Sequence, residues 1–379
     1  MPPSHSPHPP PRARLTIRRK LLFSLLVTSG ICLVVECMSR WIVNDTRREI
    51  TAEELHTEYD AQLGWINKSK FSVPNLYGVE KHLTTNSQRL RASHDFTQEV
   101  PANKLRLICS GDSFTLGYGV GDQHTWCAQL ESLDERVQTV NMGQGGYGVG
   151  QAYLWYQRIK NQLDHQVHLF SFISLDFVRA TKSEFLGYGK PLLLVESGRL
   201  RITNVPVPRP ADINRNWLGR SGTLRLLRRF RATSQRRTNA DENARKLAVF
   251  LFNQLQTEHR QKNRTLVLVH LPLRDDYFRG PDNWRRFLKE QSQLKGWTYI
   301  DLLPSFRELP MQEIESLYLG NHLPFAGAAG HYNEKGNRFV AEALITQLLQ
   351  LPSIRDLCQA LIDPQGSGAN EHPPSAKPL

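Results

Sequence analysis

The sequence predicts an α/β protein: a parallel sheet with helices on both faces. Three observations carry that expectation. From Leu105 onward, short apolar runs of strand length alternate with amphipathic stretches of helix length. The connections between them are short, as βαβ crossovers require. Small polar residues then gather just past two of the expected strands, at Gly111-Asp112-Ser113 and at Asn141–Gly146, and ligands of such sheets bind at the carboxyl ends of the strands.

The chain has 379 residues and 40% hydrophobic content, enough for one large core. Residues 1–11 are rich in proline, histidine and serine, and read as a disordered start. Arg12, Arg14, Arg18, Arg19 and Lys20 make residues 1–20 a basic tail. Leu21–Val35 is apolar or small throughout, and extending it to Val43 gives a 23-residue span with Glu36 and Arg40 near its far end. That suits a bilayer core of about 20 residues with both charged groups reaching the interface. No small-x-small cleavage site follows, so an uncleaved anchor at 21–43 is expected rather than a signal peptide. Basic residues before the span place the N-terminus in the cytoplasm and the rest outside, which in a bacterium is the periplasm.

Residues 44–100 read as a stem or flap, with a polar helix expected at Glu49–Tyr59 and an irregular stretch after it. The main domain is expected at 101–352. Strands are expected at Leu105–Cys109, Val137–Asn141, Val167–Ile173, Thr265–His270 and Thr298–Asp301. Helices are expected at His124–Leu133, Gly148–Leu163, Asp241–Arg260, Asn283–Gly296 and Asn333–Leu349. Residues 177–237 interrupt the alternation. Eleven arginines against the single acid Asp212 fall in 199–237, and Thr223, Leu226, Leu227 and Phe230 share one helical face there. Such a helix either covers the sheet with a solvated basic rim or offers a surface to anionic headgroups or an acidic glycan. A flexible tail is expected at 353–379. Residues 1–20 and 199–237 together carry +15 against +12 for the whole chain, so the rest is slightly acidic, the chain is not uniformly basic and a nucleic-acid role is disfavoured. No metal-ligand spacing, phosphate loop or dinucleotide fingerprint appears, and no cofactor is expected. Five cysteines do not form a framework; Cys109 and Cys127 read as buried thiols.

Ser113 follows a buried strand and a sharp turn. A serine there can present its hydroxyl above the sheet edge, with backbone N–H groups facing a developing oxyanion. Gly-Asp-Ser alone also suits a plain turn or N-cap serine. A serine nucleophile needs a base. His331 lies in the loop after the last strand, just before a helix, on the same edge of the sheet.

With these residues the chain resembles the SGNH, or GDSL-type, hydrolase family, and looks most like its membrane-anchored bacterial members. The resemblance spans about Asp60 to Leu349. Gly111-Asp112-Ser113-Phe114 matches the nucleophile motif. Asn141–Gln151 matches the second motif, and His331 with Asn333 and Gly336 matches the catalytic histidine. The Tyr-Asp-x-x-Leu-Gly-Trp stem at Tyr59–Trp65 fits the same subgroup. The resemblance implies a three-layer α/β/α flavodoxin-like fold. It also implies acyl transfer through Ser113, His331 as base, and an oxyanion hole formed by the N–H groups of Ser113 and Gly146.

Two positions depart from the family pattern. The third motif supplies an asparagine to the oxyanion hole, and Leu175 stands there, one residue before the matching Asp176. The triad acid is expected two or three residues before the histidine, where Ala329 and Ala328 stand. Asp301, Glu334 or a backbone carbonyl are the candidates to replace it, and His322 is a second candidate base. The expected function is a membrane-anchored, outward-facing serine esterase acting on a small acyl ester, such as acetyl, of a cell-envelope glycan or lipid. An O-acetyltransferase of exopolysaccharide, or a lapsed SGNH-fold protein binding an anionic glycan, are the alternatives.

Overall fold

The computed structural model describes residues 16–44, 53–209, 221–224, 234–279, 282–321 and 323–362. The chain divides into two units, 1–48 with 214–233, and 49–213 with 234–379.

Among the described residues, the first unit contains one long helix, Ile17–Asn44. Its segment Ile17–Trp41 is long and apolar enough to cross a membrane. Leu21, Phe23, Leu25 and Leu26 are exposed along it. Glu36 is fully engaged near its far end. Its carboxylate accepts from Arg40 Nε at 2.9 Å, Ser221 Oγ at 2.8 Å, Gly222 N at 2.7 Å and Thr223 Oγ1 at 2.8 Å. The arginine-rich segment thus contributes a short turn that satisfies the one acid of the span. The helical face proposed from Leu226, Leu227 and Phe230 lies outside the described residues, as do residues 1–15 and the start of the helix expected at Glu49–Tyr59.

In the second unit, five apolar runs form the sheet: β1 (Leu105–Ser110), β2 (Val137–Asn141), β3 (Val167–Phe172), β4 (Thr265–His270) and β5 (Thr298–Asp301). All pairings are parallel, and the spatial order is β2-β1-β3-β4-β5. This is the flavodoxin-like order, whose direction reverses between β1 and β3. Side chains alternate across the sheet as period two demands. Leu105, Leu107, Cys109, Val167, Leu169, Val267 and Val269 face one core, with Trp126 and Leu130 of α2 (Trp126–Leu133) and Val340, Ala341 and Leu344 of α7 (Glu334–Leu348). Ile108, Phe170, Phe172, Leu266 and Leu268 face the other. Over them lie α3 (Val149–Ile159), α5 (Ser234–Gln261) and α6 (Asn283–Lys295). Cys109 and Cys127 are buried free thiols.

Two further short helices follow strand ends: α1 (Ser113–Leu116) after β1 and α4 (Ser174–Ala180) after β3. Three regions differ from expectation. The stem is ordered into two hairpins, Thr57–Asp60 with Gly64–Asn67 and Phe71–Val73 with Leu83–Thr85. The described part of the insert also forms hairpins, Glu184–Phe185 with Tyr188–Gly189 and Leu192–Glu196 with Arg199–Thr203. Their turns, Leu186-Gly187 and Ser197-Gly198, have both residues at positive φ, the tight hairpin geometry that Gly favours. The tail expected to be flexible from 353 begins with a helix, Pro352–Ile362, because Ile354 is buried against the sheet-side core.

Candidate active site

The chain leaves β1 through Gly111 and enters α1 at Ser113. Asp112 caps that helix, its carboxylate accepting from Phe114 N at 2.9 Å. The cap fixes the turn, so Ser113 stands at a helix start above the carboxyl end of the central strand. The loop after β2 is bound to this turn. Gln144 N donates to Gly111 O at 3.2 Å, and Asn141 Nδ2 donates to Thr115 O at 2.9 Å. Gly146 lies at φ +71°, a conformation that a side chain disfavours. In the same loop the N–H groups of Gly143, Gln144 and Tyr147 all have acceptors. Those of Gly146 and Ser113 have none among the described residues.

The stem braces this loop from outside. Trp65 Nε1 donates to Gly145 O at 2.8 Å, Asn67 N to Gln144 Oε1 at 2.9 Å, and Tyr147 OH to Trp65 O at 2.6 Å. Buried Arg91 fastens the far end of α1, donating to Gly117 O at 2.7 Å and to Val120 O at 2.7 Å. Its Nε also pairs with Asp122 at 2.8 Å; sequence reading missed this arginine.

His331 reaches the serine from the loop before α7. Its Nε2 lies 2.8 Å from Ser113 Oγ, and its Nδ1 lies 3.2 Å from Ala328 O. The carbonyl can only accept, so Nδ1 carries the proton and Nε2 is left to accept from the serine hydroxyl. The ring is stacked on Phe114, with centroids 4.3 Å apart, and tilted against Tyr118 at 5.4 Å. Asn333 caps α7 behind it, accepting from Gly336 N at 2.9 Å. Burial pulls the imidazole pKa down to about 4, and the positive charge of Arg179 adds to this, against the opposing effect of the Ala328 bond. The ring is therefore neutral at neutral pH, with Nε2 able to accept a proton.

The two candidate acids are placed elsewhere. Asp301 is held by Arg285 and accepts from Leu303 N at 3.0 Å. Glu334 pairs with Lys81 at 3.2 Å on the surface. Neither bonds to His331, whose Nδ1 is bonded to the Ala328 carbonyl instead, so the structure does not bring either expected acid to the histidine. His322 lies outside the described residues. Leu175 is 47% exposed and has no donor to give.

One arginine that sequence reading passed over sits in the middle of this geometry. Arg179, one turn after Asp176 on α4, donates through one terminal nitrogen to Asp176 Oδ1 at 2.8 Å, Asp112 Oδ2 at 3.1 Å and Tyr147 O at 3.3 Å. Asp176 also accepts from Ile173 N at 3.1 Å, capping α4. Burial, and then the neighbouring Asp112 carboxylate, push the Asp176 carboxyl well up, against the pull of Arg179. The i, i+3 spacing from Asp176 was the only signal in the sequence.

A parallel sheet in the order 2-1-3-4-5, with a serine after β1 and a histidine just before α7, is the arrangement that the resemblance to SGNH-type hydrolases implies. No family model matches the chain, and no curated protein matches it. Among solved structures it is similar to a member of the lipolytic G-D-S-L family from Veillonella parvula, at 15% identity over 65% of this chain and 100% of that one, with a TM-score of 0.37. It is also similar to an acetylxylan esterase from Geobacillus stearothermophilus, at 13% identity over 65% and 94%, with a TM-score of 0.37. A lipase/acylhydrolase from Enterococcus faecalis matches at 11% identity over 64% and 95%, with a TM-score of 0.33.

Proposed function

We propose that this chain is a serine esterase that works through a Ser113–His331 dyad. The observation that carries the reading is the bond between Ser113 Oγ and His331 Nε2, 2.8 Å long, with Nδ1 held by the Ala328 carbonyl. In this reading Ser113 Oγ attacks an ester carbonyl while its proton passes to His331 Nε2. The carbonyl oxygen, now negative, settles against the N–H groups of Ser113 and Gly146. His331 then protonates the leaving alcohol, and water or a sugar hydroxyl releases the acyl group by the reverse path. The Ala328 carbonyl does the orienting work of a triad acid. It lacks a full negative charge to stabilise the imidazolium, so a modest rate is expected.

The finer reading follows the resemblance. The helix Ile17–Trp41 acts as an anchor, with the basic residues before it on the cytoplasmic side and the catalytic unit outside. The substrate is a small acyl ester, acetyl foremost, on a cell-envelope glycan or lipid. Hydrolysis and acetyl transfer differ only in the second nucleophile.

The test uses the full chain in detergent with p-nitrophenyl acetate, beside Ser113→Ala and His331→Ala. Turnover in the wild type that both variants lose is the expected result. Turnover equal in all three would refute the dyad.

A further inference from the structure

The proposed oxyanion hole is one donor short at Leu175, yet a guanidinium bonds the residue before Ser113 and the residue after Gly146. We propose that Arg179 supplies the third oxyanion donor of the Ser113 site, through the guanidinium N–H groups that its ion pairs leave free. The proposal rests on the serine-esterase reading and adds a catalytic residue to it.

The guanidinium is tied to both halves of the hole. Its bonded nitrogen reaches Asp112, the residue before Ser113, and the carbonyl of Tyr147, the residue after Gly146. Three acceptors share that nitrogen, including Asp176 at 2.8 Å. Nε and the second terminal nitrogen have no acceptor among the described residues. The side chain is 16% exposed, so the free donors are largely shielded from bulk water but still reachable.

Neighbouring groups fix the guanidinium in this gap. Phe185 packs 5.1 Å from the guanidinium carbon, and a Cβ on Gly146 would come within 2.6 Å of the same ring. Phe185, Gly146 and the guanidinium therefore border one small volume. Gly148 allows the close approach of α4, since a Cβ there would lie 2.7 Å from Asp176 O and 3.1 Å from Arg179 Cβ. Buried Lys190 holds the helix end, donating to Arg179 O at 2.8 Å.

The electrostatics require a cation here. Asp112 and Asp176 are both buried, and Asp112 directly precedes Ser113. Unopposed, they would resist the oxyanion's charge. A fixed, planar cation with spare N–H groups cancels them and stabilises the oxyanion as well.

The experiment compares wild type, Arg179→Lys and the pair Asp176→Asn/Arg179→Gln, each as the full chain, with p-nitrophenyl acetate and with an acidic ester. Arg179→Lys keeps the charge that Asp112 and Asp176 need for folding and removes the planar fork. The expected result is a fall in kcat of about 10²-fold with KM little changed. Folded variants with wild-type kcat would overturn the proposal and leave Arg179 an ion-pair residue. A rise in KM confined to the acidic ester would overturn it in favour of binding a substrate carboxylate. No turnover by the wild type would remove the esterase reading itself, and this proposal with it.

Discussion

Two of the serine–histidine pairs among the described residues draw their serines from the same segment, three residues apart. Ser113 Oγ meets His331 Nε2 at 2.8 Å, and Ser110 Oγ meets His168 Nε2 at 2.8 Å. The tautomers match as well. His259 Nδ1 donates to Leu255 O at 2.7 Å and His165 Nδ1 to Leu163 O at 2.9 Å. His259 Nε2 is then an acceptor for His168 Nδ1 at 3.1 Å, while Tyr156 OH lies 3.2 Å from His165 Nε2. This leaves His168 Nε2 to accept from Ser110. A serine hydroxyl on the Nε2 of a neutral histidine is therefore not in itself a catalytic centre.

The surroundings separate the two. Ser110 is the last residue of β1 and points into the core beneath α3 and α5, and His168 is fully buried. Every ring nitrogen of that cluster is spent inside the protein, and burial drives the pKa of His168 well down. Ser113 has left the strand. It sits at a helix start, its own N–H has no acceptor among the described residues, and the residue before it is bonded by the Arg179 guanidinium. The first pair closes a polar gap in the core, and the second faces the place where a substrate would lie.

Substitutions should separate the pairs sharply. Ser113→Ala or His331→Ala should cut esterase turnover by on the order of 10⁴-fold while leaving thermal unfolding nearly unchanged. His168→Ala should do the reverse. It opens a cavity and strands Ser110 and His259, so a loss of about 3 kcal/mol in stability is expected with kcat per folded molecule kept within a few-fold. Denaturant unfolding beside the assay reads both.

Acid should strain the two pairs differently. His331 accepts the reaction proton only while neutral, so kcat/KM should hold down to about pH 5 and fall as the pH drops through about 4. An acid limb near 6.5 would contradict the burial of that ring. In the core cluster, His259 is lowered to about 4 and His165 to about 3, chiefly by burial. The unfolded chain binds these protons first. Stability should be flat above the ordinary histidine pKa of about 6.5 and should fall progressively as the pH goes from there toward 4. The smallest effect is expected at Glu334→Gln. That exposed pair with Lys81 should be worth less than about 1 kcal/mol, and turnover should not change.

Much of this was legible in the residues. β4 and β5 fall where the apolar runs of Thr265–His270 and Thr298–Asp301 place them, and α6 starts where Asp282 caps it. Ser113 and His331 were readable because turn chemistry and helix starts are local signals. Arg179 and the Ala328 carbonyl were not. A side chain that bridges Asp112, Tyr147 and Asp176 owes its role to three segments meeting at the reversal between β1 and β3, and a carbonyl carries no residue signature. The hairpins at 184–203 were hidden in a different way, since strands of two to five residues are too short for a period to show.

The most direct measurement is covalent labelling of the full chain by a fluorophosphonate, with the modified residue mapped by mass spectrometry. The account predicts one adduct, on Ser113, lost in Ser113→Ala, strongly slowed in His331→Ala and kept in Ser110→Ala. No adduct on Ser113 in folded wild-type protein, or labelling that survives Ser113→Ala at the same rate, would contradict it.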